Sequence, residues 1–548
     1  MANLRSTVTL QRLVSLCLVV AAACTSNAAP NGAAPGGPGS PTSPSPSPGA
    51  LVTGRFADIA CGLPPAQLER VRNGYITGKS GEIQFVLRPP HYFGLYSHSG
   101  PWNYLQRVPF FFYGPGHVPA RGEIDRPVTM PDLAPTLARY LDFDFDAPDG
   151  RALEEAVEGS ADPPRLIVLV VWDGAGRNVL DEYPRAWRPL FRLVPGGAWF
   201  EQATVGSSPS VTPAVHASMG TGAYPKTHGV LDLRIRDGDR LVGPILSGPR
   251  YMQSPTLADE FDRAMDNEPV VGLIASEPTL GMMGHGSYLE GADADLALGQ
   301  RIGIWGLTAE NLEFFRFEEW VNEIGGLEEE VRGLDVQDGA LDGVWLDHPL
   351  ETPDDILHTP AYARYQTGVI REVIRREGFG QDEVPDLLFT NYKQIDKMGH
   401  RWSFPTPQME AVVRSSAEEF VALTELLDEE VGRGEWVMAL TADHGSTPDL
   451  ADAFMIDQTS LVNDINAAFD TDGDDTNVIQ SFRVTQLWIN IPELQENGHT
   501  LEDIADFLME YTAADNAVDP SAVPEELRDE RLFRAAFPGA VLDGLPCV

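Results

Sequence analysis

The sequence predicts an α/β fold in which a central β-sheet carries helices on both faces. Continuous apolar runs rich in β-branched residues recur along the chain, and such runs are typical of strands that are covered on both sides. They are residues 108–113, 166–172, 270–275, 387–390 and 436–441. Helical patterns such as 411–431 lie between them, and strands that alternate with helices indicate a sheet of this kind. The 548 residues are 43% hydrophobic, which is enough apolar material for one large core.

The N-terminal segment has the composition of an export signal followed by a tether. The apolar run from Leu13 to Ala23 follows two arginines and is too short for a spanning helix, so we expect residues 1–24 to be a signal peptide. Small residues directly before Cys24 resemble the bacterial lipoprotein signal, in which this cysteine is lipidated; ordinary cleavage after Ala23 is the alternative. Residues 25–52 are rich in Pro, Gly and Ser and predict a flexible linker. We therefore expect an exported protein, anchored as a lipoprotein at the cell surface or in the periplasm, or otherwise secreted.

The chain is strongly acidic. It has 39 Lys and Arg against 81 Asp and Glu, which gives a formal net charge of −42. Such a surface repels phosphate backbones, so a protein that coats nucleic acid is excluded. An anionic substrate would need bound cations that reverse the field locally. No stretch beyond the signal peptide reaches 18 apolar residues, and membrane contact is expected only through the lipid anchor.

Acidic and imidazole side chains follow three of the predicted strands. They are Asp173 after 166–172, Asp396 and His400 after 387–390, and Asp443 and His444 after 436–441. Functional residues of open α/β sheets gather beyond the carboxyl ends of the strands. One Asp in this position is most often a helix cap, but three such sets favour a pair of divalent cations held by mixed oxygen and nitrogen ligands, and Zn²⁺ suits such ligands.

Thr212 is the candidate nucleophile. Followed by Pro213, it has the form of an N-cap with proline at the first helical position. A hydroxyl at a helix N-terminus, on a cation, is favoured as an alkoxide. The alternative is a purely structural role, since Thr-Pro starts many helices.

The segment from Thr212 to Val230, TPAVHASMGTGAYPKTHGV, resembles the nucleophile segment of the alkaline phosphatase superfamily, in its nucleotide pyrophosphatase/phosphodiesterase (type I phosphodiesterase) branch. The residues in register are Thr212, His216, Thr221-Gly222, Pro225 and His228-Gly229. The D-x-x-G-H element at 396–400 and the A-D-H-G element at 442–445 also resemble that branch. The resemblance implies an alkaline-phosphatase-like sheet and a two-metal hydrolase of phosphate esters that forms a covalent phospho-threonine at Thr212.

The resemblance also implies the ligand sets of the two ions. One ion would take Asp396, His400 and a late histidine. The other would take the remaining ligands, which are Asp173, Asp443, His444 and the Thr212 oxygen. In the family the late histidine lies downstream of the A-D-H-G element, but the only histidine there is His499, in a polar context that does not fit.

The missing segment of the family occurs near the N-terminus, as Ser97-His98-Ser99-Gly100-Pro101-Trp102 followed by an apolar run. We therefore expect a circular permutation, in which residues 55–153 are the family's C-terminal segment moved ahead of the first strand and His98 completes the metal site. Residues 53–548 would form a single phosphohydrolase domain. The acidic, less regular range 284–366 is expected to be a cap insertion.

Two cysteines, Cys61 and Cys547, flank the new break that this permutation implies. They would lie close in space, and in an exported protein they could form a disulfide. Two unpaired thiols are the alternative.

Two departures from the family bear on the substrate. Phosphatases of the family that prefer monoesters often carry a Ser-x-Lys-x-Arg element, and the equivalent stretch 276–279 lacks both cations, which favours a phosphodiester or pyrophosphate bond. The family's phosphate-contacting Asn should fall near Leu233 but is absent; Arg234, Lys393 or Lys397 could substitute. We expect a small-molecule phosphate ester as substrate. The alternatives are a phosphomonoesterase and, in another class, a catalytically inactive surface-anchored protein that binds metal.

Overall fold

The computed structural model describes residues 53–157, 162–244, 251–275, 281–284, 295–299 and 326–548. The predicted signal peptide, its Cys24 and the linker 25–52 lie outside these residues. Within the described ranges, no helix combines the length and the apolar character that a membrane-spanning helix needs.

The strands of the described residues are numbered in chain order. They are β1 (Ile83–Leu87), β2 (Tyr92–Phe93), β3 (Phe110–Tyr113), β4 (Gly122–Thr129), β5 (Leu166–Trp172), β6 (Ala198–Thr204), β7 (Ile235–Asp237), β8 (Arg240–Val242), β9 (Val271–Ala275), β10 (Leu296–Gly299), β11 (Val344–Trp345), β12 (His348–Pro349), β13 (Asp386–Tyr392), β14 (Trp436–Thr441), β15 (Met455–Ile456), β16 (Ile479–Arg483), β17 (Gln486–Ile489) and β18 (Phe533–Pro538).

The α-helices of the described residues are numbered in the same way. They are α1 (Arg55–Cys61), α2 (Pro65–Asn73), α3 (Asn103–Gln106), α4 (Leu133–Tyr140), α5 (Glu154–Val157), α6 (Arg177–Glu182), α7 (Arg188–Phe191), α8 (Thr212–Thr221), α9 (Pro225–His228), α10 (Leu257–Ala264), α11 (Gly281–Gly284), α12 (Leu327–Asp335), α13 (Pro353–Leu357), α14 (Pro360–Glu377), α15 (Gln394–Trp402), α16 (Pro407–Leu427), α17 (Gln458–Phe469), α18 (Ile491–Glu496), α19 (Leu501–Glu510) and α20 (Ala513–Asn516).

A mixed sheet of eight strands forms the centre of the fold, in the order β10-β9-β13-β5-β14-β3-β6-β4. The first five strands of that order run parallel, and β3 is antiparallel to both of its neighbours. Every residue of β5, β13 and β14 is buried, because helices cover both faces of the sheet. The predicted α/β class is therefore confirmed, and 166–172 and 436–441 are strands with the predicted bounds.

The N-terminal part of the domain contributes strands to two sheets. β3 and β4 belong to the central sheet, while β1 lies between β17 and β18 in a second, four-stranded antiparallel sheet. A disulfide joins Cys61 at the end of α1 to Cys547 near the C-terminus, with the two Cα atoms 5.9 Å apart. Residues 55–153 therefore pack in the same hydrophobic cores as the later part of the chain.

The range 284–366, predicted as a cap insertion, is partly described. Its strand β10 pairs in parallel with β9 and forms an edge of the central sheet. Its helix α12 packs against α14. Residues 285–294 and 300–325 of this range lie outside the described residues.

Candidate metal centre

The candidate metal centre lies where β5, β13 and β14 end at the carboxyl edge of the central sheet. Asp173 follows β5 directly, Asp396 lies in the first turn of α15, and Asp443 lies two residues beyond β14. The backbone N–H of Asp173 donates to the carbonyl of Tyr392, and that of Asp396 donates to the carbonyl of Asp173, each at 3.0 Å. The segments pass so closely because Gly174 has a φ of 74°, and a Cβ at this position would lie 2.8 Å from the Cα of Asp396.

One group of ligand atoms surrounds Asp396. Nε2 of His98 lies 3.5 Å and Nε2 of His400 lies 3.3 Å from its Oδ1. The ring of His98 stacks on that of His444 with the centroids 3.6 Å apart, and donor atoms of His98, Asp396 and His444 lie within 4.8 Å of one another. Nδ1 of His400 donates to the carbonyl of Leu95 at 2.6 Å, which leaves Nε2 as the acceptor facing Asp396.

Asp173 and Asp443, both fully buried, form the second group. Nε2 of His444 lies 3.1 Å from Oδ2 of Asp443 and 3.6 Å from Oδ1 of Asp173. Donor atoms of Asp173, Asp443 and His216 lie within 4.8 Å of one another. His444 therefore stands between the two groups, which together form one continuous cluster. His216 had been identified only as part of the nucleophile segment.

Lys393 and Asn391 hold the two groups together. Nζ of Lys393 lies 2.8 Å from Oδ2 of Asp173, 3.2 Å from Oδ2 of Asp396 and 3.4 Å from Oγ1 of Thr212. Nδ2 of Asn391 donates to the same Oδ2 of Asp173 at 2.8 Å. These bonds occupy the Oδ2 atoms, so that the Oδ1 atoms of both carboxylates face the histidines. Sequence reasoning missed Asn391, although an amide near the end of an apolar strand was a signal for it.

Thr212 lies at the start of α8, but one position later in the helix than the sequence suggested. Val211, with extended backbone angles, is the N-cap, and Thr212 is the first helical residue. The N-cap prediction was therefore wrong by one residue, within the usual uncertainty of helix boundaries. The Thr212 hydroxyl still lies at the positive end of a ten-residue helix, where negative charge is favoured.

Several polar side-chain atoms of this cluster are buried without a hydrogen-bond partner among the described residues. They are Oδ1 of Asp173, Oδ2 of Asp443, Nε2 of His444 and Nδ1 of His98. Burial without a partner destabilises a polar group, and it does so most strongly for a charged group. Asp443 and His444 approach to 3.1 Å without hydrogen-bond geometry, which is expected when both are oriented towards a shared cation. The donor set of carboxylates and imidazoles therefore fits divalent metal ions.

Residues 167–533 match the family of type I phosphodiesterases and nucleotide pyrophosphatases. The chain belongs to this family. The type I phosphodiesterases are phosphoric ester hydrolases of the alkaline phosphatase superfamily, whose members depend on metal. The predicted family is thereby confirmed. Metal binding would also explain why polar atoms of this cluster are buried without hydrogen-bond partners.

Similar individual proteins are more distant. A calcium-transporting ATPase from Myroides odoratus is 35% identical over 102 residues, which are 18% of this chain and 18% of that protein, so the chain spans less than a fifth of this relative's length. The solved structure of alkaline phosphatase PafA is 17% identical, with a TM-score of 0.49, and the match covers 69% of this chain and 85% of PafA. Phosphonoacetate hydrolase from Sinorhizobium meliloti 1021 is 14% identical, with a TM-score of 0.28, over 52% of this chain and 57% of the hydrolase.

The electrostatics of this phosphodiesterase-family site are those of crowded, buried charges. Burial, together with Asp443, raises the pKa of Asp173 to about 7 although Lys393 lowers it. Burial also favours the neutral form of Asp396, but Lys393 and His400 outweigh it and hold the pKa of that carboxyl well below its ordinary value. The pKa values of the two carboxyl groups thus shift in opposite directions, according to how each is placed relative to Asp443, Lys393 and His400.

The histidines of the phosphodiesterase-family site divide into two kinds. Burial and the neighbouring rings of His444 and His400 hold the pKa of His98 well below its ordinary value, so this imidazole is neutral, as a metal ligand must be. Burial lowers the pKa of His444 too, but Asp443 overcomes that effect and raises it to about 9.

The remaining predicted residues lie elsewhere. Arg234, half-buried before β7, makes no hydrogen bond or ion pair with the metal-site residues in the described part of the chain. His499 pairs with Asp503 at 3.9 Å and packs on the ring of Phe469, in agreement with its dismissal as a ligand. The stretch 276–279 lies outside the described residues.

Proposed function

We propose that the protein is a metal-dependent hydrolase of small phosphate esters that cleaves phosphodiester or pyrophosphate bonds through a covalent phospho-threonine at Thr212. The observation that carries this proposal is the cluster of buried, unpartnered ligand atoms next to the Thr212 hydroxyl at the start of α8. Family membership supports the same chemistry. Among the described hydroxyl groups, the sequence motif assigns the role of nucleophile to that of Thr212.

The ligands divide between two ions in our proposal as the family resemblance implies. Asp396, His400 and His98 would hold one ion. The other would be held by Asp173, Asp443, His444 and the Thr212 oxygen. Zn²⁺ suits this mixture of carboxylate and imidazole donors. When bound, the two ions supply the positive charge that an anionic ester needs in a protein of net charge −42.

The chain's own residues then do the following. The Thr212 oxygen attacks phosphorus and gives its proton to water. Its bond to phosphorus forms as the bond to the leaving group breaks, and the leaving group takes up a proton from water and departs. Nζ of Lys393, 3.4 Å from that oxygen, donates a hydrogen bond that stabilises the alkoxide. Water then cleaves the phospho-threonine, which returns the Thr212 hydroxyl and releases the phosphate product. Asn391 and Lys393 hold Asp173 in a fixed orientation throughout.

A preference for diesters over monoesters follows from the small number of basic side chains that could bind the terminal phosphate oxygens. Family enzymes that prefer monoesters hold the terminal phosphate oxygens with extra cations, and stretch 276–279 supplies none. Lys393 is committed to Asp173 and Asp396, which leaves it less able to serve those oxygens. A phosphomonoesterase remains the alternative within the superfamily, and an inactive metal-binding protein is the alternative in another class.

The test compares hydrolysis of bis-p-nitrophenyl phosphate and p-nitrophenyl phosphate by the Zn²⁺-loaded protein. We expect the diester to turn over faster, and Thr212→Ala to lower turnover by a factor on the order of 10³ or more. Thr476→Ala, at an exposed threonine far along the chain, is the matched control and should leave the rate unchanged. Faster monoester turnover would reverse the substrate preference. Metal binding without Thr212-dependent turnover of either ester would favour the inactive protein.

We also propose the circular permutation of residues 55–153. It is supported by Nε2 of His98, which lies 3.5 Å from Asp396 although the family match begins only at residue 167. The test is a reordered chain that starts at residue 162 and ends at residue 157, with residues 548 and 55 joined by a short flexible linker. Because the Cα atoms of Cys61 and Cys547 are 5.9 Å apart, the reordered chain should fold and bind as much metal as the native one.

We propose, finally, that the protein is exported and anchored through lipidated Cys24. The signal-like segment 1–24 and the linker 25–52 support this proposal. Expressed in a bacterium that processes lipoproteins, the native chain should sediment with membranes, whereas Cys24→Ala should not. Equal release of both would point to ordinary cleavage and secretion.

A further inference from the structure

A cavity of about 540 Å³ lies beside the metal centre, between α2 and the ends of β4 and β6. Its lining includes Thr129 at the end of β4 and Thr204 at the end of β6. β6 and β4 run parallel to β14, so the cavity opens at the same carboxyl edge of the sheet as Asp443. Since neighbouring strands are about 4.8 Å apart, it lies roughly 10–14 Å to the side of the metal centre. Its volume is that of a site for a small molecule.

Three cations face this cavity or its rim. Arg70 is 7% exposed, and its Nη1 donates to the carbonyl of Pro101 at 2.8 Å and to Oδ1 of Asn103 at 2.7 Å. Nη2 of Arg107 donates to the carbonyl of Glu201 at 3.1 Å. These partners are neutral oxygens, so neither guanidinium group is hydrogen-bonded to a carboxylate in the described residues.

Lys226 supplies the third cation, at the rim. Its Nζ donates to Oδ1 of Asn73, which lines the cavity, at 2.8 Å, and lies 5.8 Å from the centroid of the Tyr224 ring. Within the described residues, Lys226 and the two arginines form no ion pair with a carboxylate. Glu69 is the acidic residue in the cavity lining; burial lowers the pKa of Arg70 and the charge of Glu69 raises it, but the two side chains form no ion pair.

This arrangement is unusual in a chain with 81 acidic and 39 basic side chains. A buried guanidinium is normally paired, because an unpaired buried charge is strongly destabilising. Arg236 follows that rule, since its side chain is 16% exposed and pairs with Glu82 at 3.0 Å. The buried Arg70 has no carboxylate partner among the residues that the structure describes, and the half-buried Arg107 and the exposed Lys226 lie at the same cavity, which indicates that the missing partner is a ligand.

We propose that this cavity binds a small organic anion through a phosphate or carboxylate group held by Arg70, Arg107 and Lys226. The donors suit either group, because guanidinium and ammonium form charge-assisted hydrogen bonds with both. The hydroxyl of Tyr224, which donates to Thr129, places a further polar group at the cavity. The site is separate from the metal centre and does not depend on the proposed hydrolysis.

A ligand in this cavity would contact residues that support the nucleophile segment. Nδ2 of Asn73 donates to the carbonyl of Gly206 at 2.9 Å, and the carbonyl of Arg70 accepts from the backbone N–H of Ser208 at 2.9 Å. Both contacts lie on the segment that leads to Thr212. Occupation of the cavity is therefore expected to stabilise the segment that positions the nucleophile.

The experiment measures binding of inorganic phosphate and of succinate to the metal-loaded protein by isothermal titration calorimetry. Asp443→Asn weakens the metal centre and isolates binding at the cavity. In that background, we expect at least one probe to bind, and Arg107→Gln to weaken its binding at least tenfold. Lys226→Gln, at the exposed rim, gives a second variant that leaves the hydrogen bonds of the buried Arg70 intact, and it should weaken binding several-fold.

The matched control is Arg192→Gln, which changes the net charge equally but lies at the opposite end of β6 and is exposed. It should leave the affinity unchanged. Binding of phosphate alone or succinate alone identifies the acidic group of the ligand and supports the site. Binding of neither probe, or binding that is unchanged in both Arg107→Gln and Lys226→Gln, overturns the proposal. These outcomes are independent of turnover at Thr212.

Discussion

Replacing Lys393 by methionine removes an ammonium group from among three buried carboxylates while keeping an unbranched side chain of similar length. Nζ of Lys393 lies 2.8 Å from Asp173 and 3.2 Å from Asp396, and the side chain is 3% exposed. Removing one partner of a buried ion pair typically lowers the free energy of unfolding by about 3–5 kcal/mol. We expect a loss of this size in the chelated protein, because its carboxylates then have no other close ammonium in the described site.

Bound cations change this expectation. Two divalent ions compensate the same carboxylates, so Lys393→Met should cost about 2 kcal/mol less in the metal-loaded protein than in the chelated one. By the thermodynamic cycle, metal affinity then rises on the order of tenfold or more in the variant. Turnover should fall at the same time, by a factor on the order of 10², because the Thr212 oxygen loses a hydrogen-bond donor.

The assays are denaturant unfolding in EDTA and in Zn²⁺, and a competition titration of Zn²⁺ against a chromophoric chelator. Lys79→Met, at a lysine that forms no ion pair with a carboxylate in the described residues, is the matched control. It should change neither the difference between the two free energies of unfolding nor the Zn²⁺ affinity. If Lys393→Met destabilises both forms equally, or if the variant binds Zn²⁺ more weakly than the native protein, the reasoning is refuted. Lys393 would then position the ligands instead of compensating their charge.

Three further predictions follow from the contacts. His98→Ala should lower the bound metal, measured by elemental analysis, by about one ion per chain, while His499→Ala should not; equal metal in both variants would remove His98 from the site. Cys61→Ser or Cys547→Ser should lower the free energy of unfolding by about 2–5 kcal/mol without changing the metal content, and a smaller loss in denaturant unfolding would mean that the bond does not form in the native chain. Gly174→Ala should weaken metal binding and lower the melting temperature, because its φ of 74° and the close backbone of α15 leave no room for a Cβ; unchanged metal affinity would contradict the packing argument.

The strands of the central sheet could be predicted from the sequence more completely than the contacts of the site residues. The strand bounds of 166–172 followed from a continuous apolar run, and parallel strands brought Asp173, Asp396 and Asp443 to one edge, as such sheets require. The positions of these three residues depend only on the local hydrophobic pattern and on the rule that parallel strands end at the same edge of a sheet. His98 could be placed only through the family resemblance, because its own surroundings carry no metal-site pattern.

The side chains that organise the site were harder to predict. Lys393 was named as a possible substrate contact, and nothing in the sequence indicated that it also bonds to Asp173 and Asp396, because those carboxylates come near it only in the folded site. Arg234, the other possible substrate contact, lies directly before β7. The contacts of such side chains depend on which strand ends lie together in the fold, and the pattern of one sequence does not specify this.

The two proposed anion sites differ in the origin of their charge, and this difference is testable. In the metal centre, three carboxylates and the Lys393 ammonium leave a net charge of −2 when the histidines are neutral, and two divalent ions would turn it to +2. The cavity instead carries the permanent charges of Arg70, Arg107 and Lys226. Chelation should therefore abolish phosphate binding at the metal centre and preserve anion binding at the cavity. In a calorimetric titration of the native protein with phosphate, EDTA should remove one binding event and leave the other, sensitive to Arg107→Gln; loss of both would mean that a single, metal-dependent site accounts for all anion binding.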